Sequence, residues 1–107
     1  MAVVVLDNMQ ALDEAISKSG RKLVVVTFSS QNCGPCRPVP ACLEAISEEM
    51  PDVVFVKIEV GKDDEYTKRF CIKGVPAFFY FKNGQKVYNF EGGNLGHFRQ
   101  KVDQLRF

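Results

Sequence analysis

Residues 23–36, LVVVTFSSQNCGPC, decide the fold. The first part, LVVVTF at 23–28, is a run of strand formers bounded by Arg21-Lys22 and Ser29-Ser30, as expected of a strand buried on both faces. The run leads into Cys33-Gly34-Pro35-Cys36, and beyond it Val39, Leu43, Ile46 and Met50 recur at steps of four, three and four. That spacing predicts one face of a helix over 36–50. A buried strand running into a helix is the first half of a parallel crossover.

Outward from this unit the alternation continues. Residues 2–6 form a short apolar run, and 8–19 read as a helix. Asp7 or Asn8 caps that helix, Leu12, Ala15 and Ile16 share its inner face, and Gly20 ends it. Residues 53–60, VVFVKIEV, predict a second buried strand stopped at Gly61. A short polar helix follows over 63–71, with Tyr66 and Phe70 turned inward. Segments 77–81 and 86–90 flank Asn83-Gly84, a dipeptide suited to a tight hairpin turn. After Gly92-Gly93, Asn94 caps a last helix marked by Leu95, Phe98, Val102 and Leu105. The order β-α-β-α-β-α-β-β-α predicts an α/β fold, a mixed sheet with helices on both faces.

Composition narrows the function. A chain of 107 residues is expected to form one domain, 1–107. Hydrophobic residues make up 46% and charged residues 25%, which excludes a disordered chain. Fourteen basic against thirteen acidic residues, with no block of one sign, argue against a nucleic-acid partner. No apolar run has the length of a membrane span or a signal-peptide core, so the expected location is cytoplasmic. Four cysteines are too sparse for a disulfide scaffold, and they point to chemistry or core filling. Tryptophan is absent.

Placement gives the CxxC its meaning. A thiol in the first turn of a helix faces unsatisfied backbone N–H groups and the positive end of the macrodipole. Both favour thiolate over thiol, and Arg37 adds a nearby positive charge. Cys33 is therefore expected to ionise below the free-thiol range. Two intervening residues also bring Cys33 and Cys36 within reach of a disulfide. The outer Cys33 is the expected nucleophile on a substrate disulfide, and the recessed Cys36 the resolving thiol. The alternative is half of a zinc site. Zinc would need Cys42, Cys71 or His97, and no second closely spaced ligand pair exists.

KLVVVTFSS leading into CGPC, GVPAFFYFKNGQKV, and FEGGN before the last helix together resemble the thioredoxin family, over nearly the whole chain. The resemblance implies a five-stranded sheet in spatial order 1-3-2-4-5 flanked by four helices. It also implies a cis Val75-Pro76 peptide beside the cysteines, with the Val75 backbone presented to an extended substrate segment. Asn32, Gly34, Pro35, Val75, Pro76 and Gly92 are then the expected substrate-binding residues, and Gly84 and Gly92 match turn glycines. No cofactor is expected to be bound. The redox group is the Cys33–Cys36 disulfide, recharged from NADPH through a flavin-containing thioredoxin reductase.

Three positions depart from the family pattern. Asn32 stands where the family usually has Trp. Thr27 occupies the place of a buried Asp, and Ala41 that of a helix-kinking proline, with Pro38 and Pro40 earlier instead. A buried carboxylate can take the proton of the resolving thiol, whereas a threonine hydroxyl cannot do so near neutral pH. Lys57 or Glu59 on the adjoining strand could substitute through water. Pro38 and Pro40 delete backbone N–H groups, so the start of the helix is expected to be irregular.

Cys42 reads as a small core-filling residue. Cys71, at the end of the short helix and close to Pro76, is the candidate for regulatory oxidation, glutathionylation or an intermolecular disulfide. His97 reads as a solvated flank. The leading function is a thiol–disulfide oxidoreductase acting on protein disulfides, monomeric except for an oxidised dimer. A redox-gated interaction module is the second reading, and a glutathione-using enzyme the third.

Overall fold

The computed structural model describes residues 3–62 and 64–107. Met1, Ala2 and Asp63 lie outside them, and with them the ends of two expected elements. The strands are β1 (Val3–Val5), β2 (Val24–Ser29), β3 (Val54–Glu59), β4 (Ala77–Lys82) and β5 (Gln85–Glu91). The helices are α1 (Met9–Lys18), α2 (Val39–Glu49), α3 (Glu65–Arg69) and α4 (Leu95–Leu105).

The strands form one sheet in the order β1-β3-β2-β4-β5, as the family resemblance implied. β3 pairs in parallel with β1 and β2, while β4 runs antiparallel to both β2 and β5. β2 is buried along its whole length, which is why its sequence is continuously apolar rather than alternating. Its side chains still alternate in direction. Leu23 and Val25 join Phe55, Phe78 and Tyr80 under α2 and α4, whereas Val24, Val26 and Phe28 join Ile58 and Phe79 under α1 and α3. Two cores, one on each face, clamp the central strand.

Local signals set the boundaries. The Asn8 side chain accepts the Ala11 N–H at 2.7 Å, and the Asn94 side chain accepts the His97 N–H at 3.0 Å, each capping a helix. Asn83 and Gly84 both have positive φ, 51° and 78°, the backbone of a two-residue hairpin turn.

Two expectations are corrected. The short third helix spans only Glu65–Arg69, capped by Asp64, so Cys71 lies beyond it, in the left-handed region at φ 54°. His97 is half-buried rather than solvated. Its ring packs against Phe90 at 4.6 Å, and its Nε2 is 2.7 Å from the Tyr88 hydroxyl. Helical spacing alone could not show that β5 covers it.

Candidate active site

Cys33 and Cys36 are joined by a disulfide, with their Cα atoms 5.2 Å apart. They sit in a loop just past the end of β2, not in the first turn of a regular helix. Successive turns link the Cys36 N–H to Cys33 O at 3.3 Å, Arg37 N–H to Gly34 O at 3.1 Å, and Val39 N–H to Cys36 O at 3.1 Å. The first i to i+4 bond runs from Cys42 N–H to Pro38 O at 3.2 Å, inside α2. Pro38 and Pro40 have no N–H to offer Gly34 and Cys36, so α-helical bonding waits until Val39. The irregularity expected from the two prolines is present. The dipole argument from a helix starting at Cys36 is displaced by one turn.

A nearer donor serves the same end. The Cys36 N–H points at Cys33 Sγ across 3.1 Å. A backbone N–H at that distance stabilises negative charge on the sulfur once the disulfide is reduced. Cys33 is half-buried and Cys36 is 6% exposed, so an incoming sulfur reaches Cys33 first.

The other expected residues gather around this pair to different extents. Val75-Pro76 is cis, and the Val75 carbonyl oxygen lies 3.5 Å from Cys33 Sγ. Pro76 is buried, and its carbonyl accepts the Gly92 N–H at 2.8 Å, which fixes the β4 start against the β5 end. Gly92 has φ 116°, a conformation that favours glycine. Asn32, Gly34 and Pro35 are exposed. Gly93 was not singled out from the sequence, yet a Cβ there would come within 3.3 Å of the Pro35 ring. Its lack of a side chain is what lets the 92–93 loop close on the CGPC turn.

A cleft of about 180 Å³ borders the disulfide, lined by Cys33, Cys36, Ser29, Lys57 and Glu59 among others. Thr27 pairs with Lys57 in the β2–β3 register, and its hydroxyl is fully buried without a hydrogen-bond partner. The Lys57 and Glu59 alternatives named from the sequence are thus walls of a space that also touches the resolving sulfur.

Cys42 is half-buried against the α2–α4 core, and burial pushes its thiol up, with Arg99 opposing. Cys71 is exposed. Among the described residues, no three His, Cys, Asp or Glu side chains cluster as metal ligands.

Known proteins share this fold. The Thioredoxin family model matches residues 3–104. A thioredoxin of Ictalurus punctatus is 37% identical over 103 residues, covering 94% of this chain and 96% of the relative. A thioredoxin of Homo sapiens is 33% identical over 100 residues, covering 94% and 95%. The X-ray structure of Fasciola hepatica thioredoxin superposes with a TM-score of 0.89 at 31% identity, covering 95% of this chain and 98% of that one. With the Cys33–Cys36 pair in place on the matching fold, the chain belongs to the thioredoxin family and is a thiol–disulfide oxidoreductase.

Proposed function

We propose that the chain reduces protein disulfides in the cytoplasm and is itself reduced from NADPH by a flavin-containing thioredoxin reductase. The observation that carries this reading is the asymmetry of the pair, a reachable Cys33 with an N–H on its sulfur and a buried Cys36 behind it. In the reduced protein, the Cys33 thiolate attacks one sulfur of the substrate disulfide, and the other substrate sulfur leaves as a thiolate. Cys36 loses its proton and attacks Cys33 Sγ. The mixed disulfide breaks, the second substrate thiolate departs, and the Cys33–Cys36 disulfide is restored. Two electrons pass to the substrate, and the two protons of the dithiol balance its two new thiols.

Asn32, Gly34, Pro35, Val75, Pro76 and Gly92 form the substrate groove in this reading. Support comes from the 3.5 Å approach of Val75 O to Cys33 Sγ, which puts main chain beside the reacting sulfur for an extended segment to pair with. The cytoplasmic location is supported by an exposed free thiol, Cys71, which suits a reducing compartment. The same exposure makes Cys71 the regulatory candidate, able to join two copies under oxidation.

A second reading, a redox-gated interaction module, is favoured by Thr27, which leaves no carboxylate behind the pair. Insulin-disulfide reduction with thioredoxin reductase and NADPH separates the two. Sustained turnover supports the oxidoreductase cycle; a folded, reducible protein with no turnover supports the module.

A further inference from the structure

Val75 also lines a second and larger cleft, of about 430 Å³, which shares Ser30 with the Lys57–Glu59 cleft. Its floor is apolar, from Val60, Ile72 and Val75, and Lys62, Lys68 and Lys73 stand around it. All three lysines are exposed, and none has a carboxylate within ion-pair distance among the described residues. Two of the nearby acidic groups among the described residues are engaged with backbone. Asp64 accepts the Gly61 N–H at 2.7 Å and the Thr67 N–H at 2.9 Å, and Glu91 accepts the Lys73 N–H at 3.0 Å. A neighbouring recess of about 530 Å³ shares Val60, Gly61 and Lys62 with it and is lined also by Asn32 and Glu59, so the cationic side of the cleft is the Lys68–Lys73 side.

The position of this cleft relative to the reacting sulfur gives it a use. Val75 both lines the cleft and brings its carbonyl oxygen to 3.5 Å from Cys33 Sγ. A substrate segment held along Val75 with its cysteine on Cys33 advances about 3.3 Å per residue. Its flanking side chains then fall over the three lysines, where an apolar floor and a cationic rim suit the methylenes and carboxylate of Glu or Asp.

We propose that this cleft is a specificity site for acidic substrates, binding Asp or Glu side chains about two to four residues from the target cysteine. The proposal rests on the disulfide-reductase reading above. Charge complementarity of this kind raises encounter rates and discriminates among partners more than it adds raw affinity, and it weakens with salt.

The test is single-turnover reduction, by pre-reduced protein, of matched fluorogenic peptide disulfides whose cysteine is flanked by Glu, Gln or Lys. The Glu peptide is expected to react about tenfold faster than the Gln peptide at low salt, and the Lys peptide more slowly than either. The advantage should shrink as salt is raised. In K62Q/K68Q/K73Q the Glu-to-Gln ratio should fall close to one. In K68E/K73E the order should reverse in favour of the Lys peptide, a gain that misfolding could not produce. Equal Glu and Gln rates in the unaltered protein, or a Glu preference that survives the triple substitution, would overturn the proposal. Failure to reduce any of the three peptides would instead overturn the reductase reading, and this proposal with it.

Discussion

Thr27 faces Lys57 across the β2–β3 ladder, and its buried hydroxyl has no partner. Alternation along β2 puts Thr27 on the same face as Leu23 and Val25, under α2. Lys57 and Glu59 follow Phe55 on that face of β3 and wall the cleft that reaches Cys36. Proton removal from the resolving thiol therefore has no buried base at Thr27, and the nearest carboxylate in that cleft, Glu59, is exposed.

Resolution of the mixed disulfide is accordingly expected to be slow near neutral pH and to accelerate as pH rises. Placing a base behind the pair with Thr27→Asp should speed the resolving step about tenfold or more near pH 7 in rapid-mixing kinetics. No gain would sink the idea that the missing carboxylate limits the cycle. The same variant carries a stability signature. A carboxyl at this fully buried position has its folded pKa raised above the unfolded value of about 3.9. The folded state then binds the extra proton between the two pKa values, so stability relative to the unaltered protein falls as pH rises through that window.

Thr27→Val separates packing from chemistry. Valine keeps the β-branched shape and removes a hydroxyl that is buried and unpartnered. A gain of about 1 kcal/mol is expected in urea unfolding at pH 7, since desolvating an unpaired hydroxyl costs about 1–3 kcal/mol. A loss of stability would mean that the hydroxyl finds a water or backbone partner in solution. The resolving step should be unmoved, because neither side chain can act as a base.

The two free cysteines should react very differently. Cys71 is exposed, whereas Cys42 is half-buried, its thiol pushed up by burial against a smaller opposing effect of Arg99. In the oxidised protein, brief iodoacetamide treatment at pH 7.5 (about 1 mM reagent, an ordinary labelling condition) should alkylate Cys71 and leave most Cys42 free, as read by peptide mass spectrometry. Raising the pH should recruit Cys42. Peroxide should give a disulfide-linked dimer on a non-reducing gel, absent in Cys71→Ser; equal dimer in both would move the link elsewhere.

Much of this fold is written in short-range signals, and the active site is not. Burial on both faces makes β2 a continuous apolar run, and Asn83-Gly84 announces its own turn, so both can be read locally. α2 starts at Val39 and not at Cys36 because Val39 and Leu43 carry the helical period, while Pro38 and Pro40 decide where its hydrogen bonds can begin. Cys33 and Cys36 identify themselves by spacing. The approach of Cys33 to Val75, forty-two positions away, is reachable only through family resemblance, because no periodicity links a loop after β2 to a loop before β4. The Lys57–Glu59 wall required the strand register, and the lysine cleft required three separate segments to be folded together. Gly93 carried no signal beyond its identity, since its role is to make room for Pro35.

Asp64 ties the loop after β3 to α3 and so shapes one wall of the lysine cleft. Its carboxylate accepts the Gly61 N–H at 2.7 Å and the Thr67 N–H at 2.9 Å. Desolvation pushes its pKa up, but these bonds and others from Thr67 and Tyr66 outweigh it, leaving the carboxyl below its ordinary value. A folded pKa below the unfolded one contributes stability above the unfolded value, lost as pH falls through the folded one. Asp64→Ala is expected to cost about 1–2 kcal/mol at pH 7 by removing the cap. The gap between the two proteins in urea unfolding should be narrower at about pH 3, below the unfolded value of about 3.9, than at pH 7. Asp64→Asn should retain only part of the stability, since its one amide oxygen can cap Thr67 while its NH2 cannot accept the Gly61 N–H, and it should lose the pH-dependent part. A gap of the same size at both pH values would show that the capping bonds do not depend on the charge.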